Sequence, residues 1–276
     1  MPVVVKKAGI VVPTLGLRHE LLLLCLRSIR EAGDVHVCIV VPESVDLGIF
    51  LELGLFDQRV NDPGRGLANA IDFGLRSLPP EIELINWLGD DDILRPDSVR
   101  VTSEYLRAHS EVLMVFGSCD YIDEKSRTIG TNRSGKWAVP LLRFGPCLIP
   151  QPGALFTRDS YESSGGLNSD FRWAFDFEFF IRLSRLGELH YIPNTLAAFR
   201  WHQGSLSVGG RKHSVHEAST ARKMHLPLLL KSVSAVWEVP VRIITAYAGS
   251  IVSYQARRVT NRRSKTQRAK SGPLSE

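Results

Sequence analysis

The chain has 276 residues, 44% hydrophobic and 23% charged, with a net charge of +5. That balance supplies ample apolar material for one large core and excludes a disordered chain. Four cysteines without a CxxC spacing (Cys25, Cys38, Cys119 and Cys147) signal neither a zinc site nor a disulfide scaffold.

The N-terminal MPVVVKKAGIVVPT lacks a long apolar core and a cleavage site, so no signal peptide is expected. Scattered thiols fit a reducing cytoplasm. Residues 8–12 form a β-branched apolar run closed by Pro13, a buried strand. Leucines crowd one side of residues 17–32, with Arg27, Arg30 and Glu31 opposite, which predicts a helix ended by Gly33. VHVCIVV at 35–41 is a second buried strand. A short helix over 45–53 and a short strand over 58–60 follow. The glycine-rich turn NDPGRG leads into a helix over 67–78, and residues 82–88 form a strand with Asp90, Asp91 and Asp92 at its carboxyl end.

Beyond these, the pattern predicts a helix over 96–109, a strand over 112–117, a meander over 118–137 and a loop-rich stretch over 140–166. A helix over 175–186 precedes strands over 189–192 and 196–201, split by Pro193-Asn194. After Gly209-Gly210 the character turns helical. Residues 243–254 carry no charge yet are too short to cross a bilayer, which suggests an interfacial helix or one packed on the domain. Residues 255–276 then hold seven basic side chains and one acid, so the rest of the chain is close to neutral. Such a tail suits an anionic partner such as lipid headgroups, or is simply solvated.

Alternating strands and helices argue for an α/β fold with a mostly parallel sheet covered on both faces, and ligands bind such sheets beyond the strands' carboxyl ends. PTLG, PES and GDDD all lie at such ends. Three adjacent carboxylates repel one another unless something offsets the charge, and a divalent cation, Mn²⁺ or Mg²⁺, does so with oxygen ligands. A solvated turn capping the next helix is the plainer alternative.

The motifs, in order, resemble glycosyltransferase family 2, with its GT-A fold. IVVPT at 10–14 matches the family's first strand, LCLRSI at 24–29 its helix, GRGLANA at 64–70 its glycine turn, and LGDDDILRP at 88–96 its Leu-Asp-x-Asp-Asp-x-Leu-x-Pro metal motif. Gly89 stands where the family usually has Asp. The resemblance spans about residues 8–207. It implies a GT-A-like domain over 1–209, with a nucleotide-binding half at 8–117 and an acceptor half at 118–209. A helical extension with a basic tail occupies 210–276.

Carried onto this chain, the resemblance makes Asp91 the metal ligand, supported by Asp92, with Asp90 near the ribose or the metal. AFRWHQGSLS resembles the family's Tyr-Arg-x-His-x-x-Ser-x-Ser and brings His202 toward metal or diphosphate, with Arg200 pairing phosphate or a core carboxylate. Asp176 in FRWAFDFEFFIRL matches the general base, a role the chemistry demands because a sugar hydroxyl is a poor nucleophile until its proton is accepted. Glu178 is the neighbouring carboxylate, and a helix-terminal acid favoured by the dipole is the plain alternative for Asp176.

Pro13 and Thr14 are expected at the nucleobase, Glu43 in place of the family's base-reading Asp, and Arg65 and Asn69 at phosphate or ribose, or stabilising their turn. Gln151 and Trp173 are expected at the acceptor, with core packing an equal competitor. The activity implied is inverting, metal-dependent transfer from a nucleoside-diphosphate sugar to a glycan or lipid-linked acceptor, in the cytoplasm or at the inner membrane face, without nucleic acid. A sugar-phosphate nucleotidyltransferase is the alternative, but PTLGLRHE is short for the glycine-rich loop of that class.

Overall fold

The computed structural model describes residues 7–202, 210–234, 236–244 and 247. The basic tail, most of the 243–254 segment and the serines after His202 lie outside them.

A nine-stranded sheet runs in the order β3-β2-β1-β4-β8-β6-β9-β5, with β7 paired to β6. Its strands are β1 (Lys7–Pro13), β2 (Val35–Val41), β3 (Gln58–Asn61), β4 (Ile82–Trp87), β5 (Ile93–Leu94), β6 (Val112–Ile122), β7 (Thr128–Asn132), β8 (Leu155–Thr157) and β9 (Glu188–Arg200). β1 to β4 are mutually parallel and β6 is parallel to β9, whereas β5, β7 and β8 pair antiparallel. The helices are α1 (His19–Ala32), α2 (Gly48–Glu52), α3 (Leu67–Ser77), α4 (Ser98–Ala108), α5 (Ala138–Leu141), α6 (Arg158–Ser163), α7 (Phe175–Leu186), α8 (Arg211–His225) and α9 (Leu228–Val233). Residues 236–244 are helical too.

β1 and β2 are almost wholly apolar, save Lys7 and His36, because the sheet is covered on both faces. Val11 and Val40 face a core shared with α3 and α7, while Ile10, Val12, Ile39 and Val41 face one shared with α1 and α4. Gly74 lets α3 lie close on the sheet: a Cβ there would sit 2.6 Å from Val11 and from Val40.

Two differences from the sequence expectation have physical reasons. The strands expected over 189–192 and 196–201 are one strand, β9. The register against β6 jumps from Phe116↔Tyr191 to Ser118↔Thr195, so a bulge absorbs Pro193 and Asn194. β6 also continues past Gly117 to Ile122, because β7 and β9 pair with its polar end from both sides. Among the described residues no helix is long and apolar enough to cross a membrane.

This topology carries the ends of β1, β4, β6 and β9 to one edge of the sheet. The aspartates follow β4, and His202 follows β9 by two residues.

Candidate active site

The carboxylate repulsion is offset by the chain itself. Arg18, the last residue before α1, extends its guanidinium across two aspartates: Nη1 donates to Asp91 Oδ2 at 2.6 Å, and Nη2 pairs with Asp90 Oδ1. Thr14 Oγ1 donates to Asp90 Oδ2 at 2.6 Å and accepts from Gly16 N at 3.0 Å. Thr14 therefore meets the aspartates through its side chain, in addition to capping β1 beside Pro13, and its own N–H donates to Val40 O. His202 Nε2 lies 2.7 Å from Asp91 Oδ2 and 3.3 Å from Arg18 Nη1. Arg18, Thr14, Asp90, Asp91 and His202 form one polar cluster.

Asp92 has other partners. It is 4% exposed, and its Oδ1 accepts from Arg200 N at 2.9 Å. Arg200 is itself buried, donating to Asp91 O, Asp123 O and Ser126 Oγ. It is a strut that ties β9 to the aspartate turn and to the end of β6, rather than a surface cation. Burial raises the pKa of Asp92 well above the usual carboxylate value, with the Asp91 charge adding to it. Burial also raises Asp90, against the opposing pull of Thr14 and Arg18. For Arg18, burial works against the charge, but Asp90 and Asp91 outweigh it and hold the guanidinium above its ordinary pKa.

Whether these groups suit a divalent ion turns on the donor set. Asp91 and His202 converge as one carboxylate oxygen and one imidazole nitrogen, a pair better matched to Mn²⁺ than to Mg²⁺. Among the described residues no group of three or more His, Cys, Asp or Glu side chains could hold a metal. Among the described residues this pair offers two donors, a number suited to an ion that completes its shell with phosphate oxygens and water. The Arg18 guanidinium stands where such a charge would act.

Asp176 sits in the first turn of α7, partly buried. Burial pushes its carboxyl up to about 6, although its Oδ1 accepts from Phe177 N at 2.7 Å. Phe175 packs on Trp87 with ring centroids 6.1 Å apart, which sets the start of α7 against the end of β4. Glu178 is no competitor. It is 1% exposed, and although burial works to raise its pKa, bonds from His225 and Arg182 outweigh that and hold it below the ordinary value.

The loop leading into α7 is held by the C-terminal helices. Glu217 on α8 accepts from Arg172 N (3.1 Å), Trp173 N (2.7 Å) and Ala174 N (3.0 Å), fixing the chain just before α7, whose N-cap Ala174 offers no side-chain bond of its own. Trp173 is stacked on His213 at 4.9 Å with the Arg172 guanidinium over its ring, and Gly210 packs against it so closely that a Cβ would fall 2.0 Å from Nε1. Gln151 Nε2 donates to Trp87 O and Asn86 Oδ1, which places its loop beside β4.

The remaining expected residues stand apart from the cluster's bonds. Glu43 is exposed, and its carbonyl accepts from Arg59. Asn69 donates to Arg65 O at 2.9 Å, a bond within their own turn, where Gly64 and Gly66 adopt positive φ. Arg18 and Glu217 are the residues that sequence reasoning missed. Arg18 was signalled by being the sole charge in the short loop between β1 and α1, opposite in sign to the aspartates. Glu217 carried no local signal, lying 41 residues beyond Asp176 in a different helix.

The sheet order, with helices on both faces of a mostly parallel sheet, is that of a GT-A-like fold. Solved structures of that arrangement resemble the chain. The mannosyltransferase PcManGT from Pyrobaculum calidifontis, in complex with GDP-Man and Mn²⁺, matches 99% of this chain and 83% of its own, with TM-score 0.59 and 16% identity. S. aureus TarS 1–349 matches 83% of this chain and 68% of its own, with TM-score 0.55 and 10% identity. A longer S. aureus TarS structure has TM-score 0.57 and 10% identity, and the match spans 41% of it. At these identities what is shared is the fold. No protein-family model matches the chain, and no curated protein matches it.

Proposed function

We propose that the chain is an inverting glycosyltransferase that moves a sugar from a nucleoside-diphosphate sugar to a hydroxyl of a glycan or lipid-linked acceptor. The observation that carries this reading is the seating of the α7 entrance, where the Phe175–Trp87 contact sets Asp176 against the strand leading to Asp90 and Asp91 and burial pushes its carboxyl up to about 6. A base with that pKa is ionised at neutral pH yet still accepts a proton usefully in the transition state. Support for the donor class comes from PcManGT, whose structure of the same fold holds GDP-Man and Mn²⁺.

In this reading the acceptor hydroxyl gives its proton to Asp176 as its oxygen attacks the anomeric carbon. The bond to the diphosphate breaks on the opposite face, and the configuration inverts. Asp91 and His202 would hold a divalent ion, Mn²⁺ in preference to Mg²⁺, and such an ion when bound would offset the charge of the departing diphosphate. Arg18 yields its place between the aspartates and turns to the same phosphates. Thr14 orients Asp90 toward the ribose. Glu217 keeps the α7 entrance rigid so that Asp176 and Trp173 meet the acceptor in register, and Gln151 lines the same side. Residues 8–117 bind the donor, and residues 118–209 the acceptor.

Incubating the protein and Mn²⁺ with a panel of nucleotide sugars tests this. One donor is expected to be hydrolysed slowly, releasing its nucleoside diphosphate, and Asp176→Asn should keep donor binding while losing transfer. Hydrolysis of none of the panel contradicts the reading.

A further inference from the structure

The C-terminal helices are built inside out. On the inner side of residues 228–247, Ser234 and Glu238 are 4% and 3% exposed. Glu238 there receives Arg222 Nε and Nη2, each at 2.7 Å, while Arg222 Nη1 donates to Gly145 O. Trp237 meets Phe144 edge-on at 5.5 Å. On the outer side, Leu229, Val233, Val236, Val239, Ile243 and Tyr247 recur at steps of three or four residues, between 49% and 87% exposed. Across α9 and the described helical residues after Ser234, that spacing gathers the apolar side chains on an exposed side. A globular helix normally buries such a side and exposes its ions, and here the order is reversed. The buried ion pair also pins the rotation, because turning the apolar face inward would strand Glu238 and Arg222.

We infer that this face is a membrane-docking surface whose partner is an anionic lipid bilayer, entered to interfacial depth. Charge selects this occupant. Lys231 and Arg242 are exposed on the same helices, and the sequence that follows holds seven basic side chains within residues 255–276. Apolar side chains in the acyl boundary with basic groups at the headgroups are the signature of an interfacial helix, and the combination of two weak signals gives stable anchoring. A second copy of the chain would add like charge to like, through Lys231, Arg242 and the seven basic residues of 255–276, whereas an anionic bilayer neutralises that charge. Docking by α9 and the following helix brings the bilayer to the element behind α8, which holds the Asp176 loop through Glu217. Resting on the sugar-transfer reading, the acceptor class narrows to one anchored in the membrane.

The test is flotation of the full chain with vesicles of phosphatidylcholine alone and with about one third phosphatidylglycerol, at low and high salt. Binding is expected to the anionic vesicles, at least tenfold weaker in the double variant Leu229→Glu/Ile243→Glu, and only partly reversed by salt. These side chains are exposed, so the variant should fold, and an unchanged circular dichroism melt with intact donor hydrolysis checks that. Equal flotation of variant and wild type, or none by wild type, overturns the proposal. So does a wild-type dimer that the variant converts to monomer without any vesicle binding. Vesicle binding does not depend on the chemistry, so failure of sugar transfer with intact flotation removes only the transferase reading.

Discussion

Asp176→Asn separates stability from catalysis. A carboxyl that titrates at about 6 rather than near 3.8 disfavours its own ionisation in the folded state. At 1.36 kcal/mol per tenfold change in proton affinity, the cost at neutral pH is about 3 kcal/mol, an upper figure because the side chain is only partly buried. The sign follows from linkage. Below the unfolded value the carboxyl is protonated in both states, and Asn should give no advantage. As pH rises the unfolded chain loses its proton first, and folding of the wild type becomes progressively less favourable until the folded carboxyl ionises near 6. Asn, which keeps an oxygen to accept from Phe177 N, should therefore stabilise the protein by an amount that grows from nothing near pH 3.5 to its full value above pH 6.5. Urea unfolding of both proteins at pH 3.5, 5 and 7.5 measures it. A difference that is constant with pH, or a loss of stability at pH 7.5, refutes the claim that Asp176 is a desolvated base. The same titration should appear as an acid limb near pH 6 in the wild-type rate.

Glu217→Ala removes the acceptor of three N–H groups at the α7 entrance and should cost about 2 kcal/mol of stability, lower kcat by tenfold or more, and leave the donor KM little changed; unaltered kcat would show that the loop holds itself. Glu238→Gln leaves Arg222 buried without its counter-charge and should destabilise by about 3–5 kcal/mol, whereas Arg222→Met/Glu238→Leu should cost much less. Equal losses in thermal denaturation would contradict that account of the ion pair. Arg18→Ala clears the cation from between Asp90 and Asp91, and should tighten Mn²⁺ binding by about fivefold, the equivalent of roughly 1 kcal/mol for a partly exposed pair; paramagnetic titration that finds weaker binding would refute the competition.

Much of the sheet was legible in the chain, because β1 and β2 are nearly continuous apolar runs closed by proline and β4 is a mainly apolar run ending before Gly89, the pattern of strands buried on both faces. α7 was legible because an apolar-rich run free of glycine and proline extends from Phe175 until Gly187 stops it. β5 and β8 were not, since two or three residues are too few to show a period. The division of β9 was misread because proline normally ends a strand, and only pairing with β6 reveals the bulge. In the site, Asp90, Asp91 and His202 were legible as residue types at strand ends, and the structure brings them into one cluster. What could not be read was which charge answers the aspartates. That depends on Arg18 reaching across from a loop more than 70 residues away, a matter of tertiary geometry. The same holds for Asp92, whose neighbours in sequence share its chemistry but whose backbone partner, Arg200, comes from a different strand.

Calorimetric titration of UDP, GDP and dTDP into the full chain, with Mn²⁺ and then with chelator, bears most directly on the claim that the Asp90–Asp91–His202 cluster receives a nucleotide diphosphate. One of the three should bind with Mn²⁺ and lose that affinity both with chelator and in Asp91→Asn. Binding of equal strength under all three conditions, or no binding of any diphosphate, would contradict it.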